Sequence, residues 1–100
     1  MDRDQYVVWI TIRTIAPDSW EKFRQAWRPK EFPEGMLRAY ECDAPERNEI
    51  VGIAIWDSAE SCETYRLSEV EADRRAAMAP FIQSESSSVY VGRELGIPSD

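Results

Sequence analysis

The stretch Glu49-Ile50-Val51-Gly52-Ile53-Ala54-Ile55-Trp56-Asp57-Ser58-Ala59-Glu60 decides the fold. Ile50, Val51, Ile53, Ala54, Ile55 and Trp56 place apolar side chains on both strand parities, as in a strand covered on both faces. Asp57 stands three residues before Glu60, a capping-box spacing that starts a helix. Trp56 therefore falls where a sheet meets a helix N-terminus.

On the N-terminal side, the polar turn Ala44 to Asn48 joins this strand to an earlier one, Met36 to Asp43, in a hairpin. Alternation puts Met36, Arg38, Tyr40 and Cys42 on one face of that earlier strand. A loop with two prolines and a glycine, Pro29 to Gly35, precedes it. Tyr6 to Ile15 reads as the first strand, with Val8, Ile10 and Ile12 on one parity and Val7, Trp9, Thr11 and Arg13 on the other. Pro17 breaks that run, Asp18 and Glu21 repeat the capping-box spacing, and Trp20, Phe23 and Trp27 follow at helical spacing.

On the C-terminal side a helix runs from about Ser58 to Leu67, and Ser68 interrupts or bends it. A second helical stretch, Glu69 to Ala79, leads to Pro80, with Val70, Arg74, Ala77 and Phe81 as its inward stripe. Gln83 to Ser87 reads as a Ser-rich turn and Ser88 to Leu95 as the last strand. The order β-α-β-β-α-β is that of a ferredoxin-like α+β subunit, a four-stranded antiparallel sheet with its helices on one face. Such a sheet alone should carry a polar second face, yet the central strands are apolar on both. The second face therefore calls for a partner, and a homodimer with two sheets packed into a dimeric α+β barrel supplies it.

One hundred residues form one domain, 1–100. A net charge of -7 argues against nucleic acid and anionic membranes as partners. No apolar run is long enough for a membrane span, and the N-terminus lacks a signal-peptide order, so the cytoplasm is expected. Cys42 and Cys62 are too few for a disulfide or metal framework and read as free thiols. The chain has no His, which removes the commonest general base and the commonest metal ligand; no metal and no cofactor are expected.

Several residues carry candidate chemistry beside a plain structural reading. Trp56 is either a core residue or a pocket wall that stacks on a planar ligand. Gly52 and Ala54 share its parity, so they leave space for a ligand or for a bulky helix side chain such as Phe23 or Met78. Tyr65 with Arg66, Arg74 and Arg75 could position and stabilise an anionic substrate, or simply pair with Glu69 and Glu71. Arg38 and Tyr40 could reach a ligand, though ion pairing is the plainer role for Arg38, as it is for Arg13 and Glu41. Glu60, Glu63, Glu69, Glu71 and Asp73 read as a solvated face.

Three segments together resemble the antibiotic biosynthesis monooxygenase (ABM) family of dimeric α+β barrels: Pro33-Glu34-Gly35-Met36-Leu37, Ile53-Ala54-Ile55-Trp56-Asp57-Ser58 and Met78-Ala79-Pro80-Phe81. The resemblance spans about residues 6–95. It implies a homodimer with a hydrophobic pocket between sheet and helices, and cofactor-free oxidation of a planar phenolic, quinol or polyketide-type molecule. It places Trp56 on the pocket Trp of the polyketide-oxidising members, whose Asn falls on Gly52 and whose Tyr falls on Cys62. Their Arg from the second helix has near matches in Arg74 and Arg75. Haem-degrading members need a His that this chain lacks. The expected function is thus an ABM-like monooxygenase, with a polyketide cyclase or isomerase and a non-catalytic binding or structural dimer as alternatives.

Overall fold

The computed structural model describes residues 5–29 and 31–98. Its regular elements are β1 (Gln5–Ile15), α1 (Trp20–Trp27), β2 (Met36–Ala44), β3 (Glu49–Trp56), α2 (Ala59–Arg66), α3 (Glu69–Met78) and β4 (Ile82–Arg93). The four strands form one antiparallel sheet in the order β2-β3-β1-β4, with the helices on one face. This is the expected β-α-β-β-α-β subunit, with the second helical region divided in two.

Burial alternates along β1. Val7, Trp9, Thr11, Arg13 and Ile15 are buried, whereas Tyr6, Val8, Ile10 and Thr14 are half-buried and Ile12 is exposed. The first set faces the helices with Trp56 and Ile50 of β3. The second set shares the open face with Val51, Ile53 and Ile55, which pair with Ile12, Ile10 and Val8. The core on the helix side divides into two clusters. Val7, Trp9, Trp56, Cys62 and Tyr65 form one, and Ile15, Phe23, Ile50 and Met78 the other.

Five local expectations change. The last strand begins at Ile82, because Ser84 to Ser88 pair residue by residue with Thr14 to Ile10 of β1. The Ser-rich segment is thus an edge strand, its short polar side chains suited to an exposed face. The cap of α2 is Ser58, whose Oγ accepts from the Ser61 N–H at 3.1 Å. Asp57 is not free to cap with Glu60, because its own N–H donates to the Gly35 carbonyl at 2.8 Å and keeps it on the sheet. Gly35 has φ +90°, and a Cβ there would come within 2.5 Å of the Ser61 side chain.

At the first helix, Asp18 lies inside a 3-10 turn over Pro17–Ser19 and makes no capping bond; α1 starts only at Trp20. In β2 a register shift between Met36 and Arg38 separates residues assigned to one face. Met36 pairs with the helix-facing Trp56, while Arg38, Tyr40 and Cys42 oppose Ile55, Ile53 and Val51 on the open face. On α3 the inward stripe is Glu71, Arg74 and Met78, and Val70 is exposed. Ser68 explains the break before α3: its hydroxyl donates to the Tyr65 carbonyl at 2.6 Å and accepts from the Glu71 N–H at 3.1 Å. One side chain therefore closes α2 and caps α3.

Candidate functional site

Between the sheet and the helices lies a cleft of about 340 Å³. Its floor is Gly52 and Ala54 of β3 with Ala39 of β2, where small side chains leave room. Trp9, Trp27, Phe32, Met36 and Tyr65 wall it, and Thr11, Glu41 and Arg74 supply its polar atoms. Trp27 comes close to the floor: a Cβ on Gly52 would stand 3.1 Å from its indole and 2.9 Å from the Thr11 hydroxyl oxygen. The helix side chain that fills space over Gly52 is thus Trp27, not Phe23 or Met78, which belong to the second core cluster.

Tyr65 projects from α2 against two tryptophans. Its ring centroid lies 5.6 Å from that of Trp56 and 6.4 Å from that of Trp9, the latter edge-on. Burial pushes the Tyr65 phenol up, Arg74 acts in the opposite direction and Glu71 adds to the rise. The phenol therefore stays protonated at neutral pH.

Arg74 lines the cleft but is heavily engaged. Its Nε and Nη2 donate to Glu71 at 2.7 and 3.3 Å, and its Nη1 donates to the Trp27 carbonyl at 2.6 Å. Glu71 is fully buried and also accepts from Arg75 at 3.3 Å. The expectation that all five carboxylates of this region are solvated thus fails at Glu71. The spacing of Glu71 to Arg74 and Arg75 favours pairing, but only the docking of α3 against α1 buries the pair. Arg74 ties the C-terminus of α1 to α3 and so fixes the Trp27 wall.

A second charged group rims the cleft. Arg24 donates to Glu41 at 3.1 Å and to Asp43 at 2.7 Å, and Arg28 reaches Glu41 at 3.5 Å. The hydrogen bond to Asp43 is the main cause that raises the Arg24 guanidinium, with Glu41 adding to it. Deeper in, Arg13 pairs with Glu85 at 2.6 Å directly across β1 and β4 and donates to Thr11 Oγ1 at 3.0 Å. Burial pulls the Arg13 guanidinium down, opposed chiefly by its bond to Glu85.

Of the residues singled out from sequence, the structure brings Tyr65, Arg74, Gly52 and Ala54 to the cleft, whereas Tyr40 only borders it from β2, opposite Ile53 on the open-face parity. Trp56 does not line it. Its side chain is fully buried behind Tyr65, and its indole N–H has no partner among the described residues. Cys62 lies in the same core cluster, where burial raises its thiol pKa. Arg75 is half exposed and held to Glu71, and Arg38 is exposed on the open face of the sheet. Neither reaches the cleft. Sequence reasoning missed Trp9, Thr11, Trp27, Glu41 and Glu71 as cleft or support residues. The parity of Trp9 with the polar Thr11 was a usable signal, since a helix-facing row that mixes a large aromatic with a polar residue suits an aromatic cleft with a few polar atoms.

Among solved structures the similarity is to antibiotic biosynthesis monooxygenases. A structure from Nitrosomonas europaea, provisionally described as such, aligns with TM-score 0.74 at 15% identity, over 86% of this chain and 97% of that one. Another so described, from Caulobacter crescentus, gives 0.75 at 11%, over 94% and 93%. A variant of SnoaB, a cofactor-independent oxygenase from Streptomyces nogalater, gives 0.73 at 16%, over 92% and 96%. The chain therefore has the ABM-like fold. No family model matches the sequence, and no curated protein matches it.

Proposed function

We propose that this protein is a cofactor-independent monooxygenase of the ABM kind. Its substrate on this reading is a planar phenolic, quinol or polyketide-type molecule held in the sheet–helix cleft. The observation that carries the reading is the cleft itself. Aromatic rings of Trp9, Trp27, Phe32 and Tyr65 surround a floor of Gly52 and Ala54, and polar atoms are few. That is the make-up of a site for a flat apolar ligand. The fold shared with a cofactor-independent oxygenase favours oxidation as the reaction.

In this scheme the substrate is an activated phenol or quinol that loses a proton to become an electron-rich anion. The anion passes an electron to dioxygen, and recombination forms a carbon–oxygen bond and a peroxide that takes a proton back from solvent. The hydroperoxide then loses water as its O–O bond and the C–H bond on the same carbon break, leaving one oxygen atom as a new carbonyl. The protonated Tyr65 donates a hydrogen bond to the substrate oxygen. Arg74, neutralised by Glu71, contributes directed N–H groups rather than free positive charge. The engagement of Arg74 also favours a second reading, a cleft that binds a neutral aromatic without turning it over. Oxygen consumption with a panel of anthrones and hydroquinones separates the two. Uptake that Tyr65→Phe slows supports oxidation; tight binding with no uptake supports the second reading.

The same proposal includes a homodimer in the cytoplasm, where Cys42 and Cys62 remain thiols. The open sheet face supports the dimer: Val8, Ile10, Ile12, Val51, Ile53 and Ile55 form a contiguous apolar surface with no helix over it. Sedimentation should give a dimer for the wild type and a monomer for Ile53→Asp. A wild-type monomer at micromolar concentration would remove this part. Among the described residues no helix is long and apolar enough to cross a membrane.

A further inference from the structure

The cleft is not the only space beside Tyr65. A second cavity, about 490 Å³, lies on the other side, among Pro33, Ser58, Ser61, Thr64 and Ser68. Two side chains border both spaces: Phe32 and Tyr65. They differ in how firmly they are held. Tyr65 is 9% exposed and packed between Trp9 and Trp56. Phe32 is 69% exposed, so little packing fixes its ring.

We propose that Phe32 sets the length of ligand this protein accepts, as the adjustable half of a partition between two cavities. The inference rests on the cleft being a site for planar aromatic molecules. With the Phe32 ring against the cleft, the space suits a compact ligand of about two fused rings. With the ring turned outward about its own side-chain torsions, the cavities join into a trough of roughly 800 Å³, near the upper end for small-molecule sites. An exposed aromatic ring changes rotamer on a fast timescale, so either length can be taken without backbone rearrangement. The far end differs in chemistry from the near end. Glu31, Glu34, Asp57 and Glu60 border it with the hydroxyls of Ser58 and Ser61. A ligand that reaches it should carry hydroxyl or amino donors there and no acid group.

Isothermal titration of the full chain with 2-naphthol and with quinalizarin tests the proposal. The first has two fused rings; the second has three in line, with hydroxyls at both ends. Phe32→Ala should weaken 2-naphthol at least fivefold and leave quinalizarin unchanged or tighter. Phe32→Trp should shift the ratio the opposite way. Because Phe32 is mostly exposed, both variants should melt within a few degrees of the wild type. If Phe32→Ala weakens both ligands by the same factor, or neither, the partition is wrong while the cleft stands. If the wild type binds neither ligand, the cleft reading falls and this inference falls with it.

Discussion

Removing the Glu71 carboxylate should destabilise this protein more than any surface substitution. Glu71 is fully buried and receives three charge-assisted hydrogen bonds, from Arg74 at 2.7 and 3.3 Å and from Arg75 at 3.3 Å. Glu71→Ala leaves the Arg74 guanidinium, whose side chain is 14% exposed, without its counter-ion. Breaking a buried pair from one side costs about 3–5 kcal/mol. Arg74 borders the cleft and can recover some hydration there, so the lower end, about 3 kcal/mol, applies. For a domain of this size that is a fall in Tm of roughly 12–24 °C. Arg75 matters little to the sum, because it is half exposed and rehydrates. The double variant Glu71→Leu/Arg74→Met removes both charges and should lose less than the single one, since no unpaired ion remains. Urea unfolding at fixed protein concentration measures both, with an unchanged slope needed for the comparison. A loss below about 1 kcal/mol for Glu71→Ala, or a double variant weaker than the single, would show that the pair is not buried as described.

Three further outcomes are expected. Gly52→Ala should cost about 1–3 kcal/mol, because its Cβ would press on Thr11 and Trp27. It should also weaken aromatic ligands; normal stability and affinity together would place Gly52 away from the cleft floor. Ser58→Ala should cost about 1 kcal/mol through loss of the α2 cap, whereas Asp57→Ala should not show a cap-sized effect. The reverse order in thermal melts would restore Asp57 as the cap. Tyr65 should give stability a pH dependence on the alkaline side. Its folded pKa lies above its unfolded value, so its contribution is complete below about pH 10 and is lost as pH rises through the folded value. The stability difference between wild type and Tyr65→Phe should shrink above about pH 10, and a flat difference would refute the shift.

Local signals carried the architecture because local physics makes it. Apolar parity marked β1 and β3, Pro17 and Pro80 marked breaks, and Ser68 marked the division of the second helical region. Where those readings moved, a partner distant in sequence was the cause. Gly35 takes the Asp57 N–H and hands the cap to Ser58. The strand β1 recruits Ser84 to Ser88 into β4, although their composition reads as a turn. A bulge near Leu37 turns Met36 toward the helices and Arg38 away from them.

The candidate site was legible at its floor and much less so in its walls. Gly52 and Ala54 could be found from the parity of one strand, because a gap beside a large residue is a one-dimensional pattern. Trp56 marked the right end of that strand, yet Tyr65 stands between it and the cleft. Which of two neighbouring aromatics faces a cavity depends on how α2 sits on the sheet. Glu71 makes the same point for charge. Its spacing to Arg74 and Arg75 is visible in the sequence, and its burial is not, since that depends on α1 and α3 meeting. The sequence by itself determined the element order, the sheet and the small-residue floor, all written in periodicity and local steric preference. Only the tertiary structure decided that Trp9, Trp27 and Tyr65 form the walls and that Glu71 holds Arg74, because side-chain exposure is set by how elements pack.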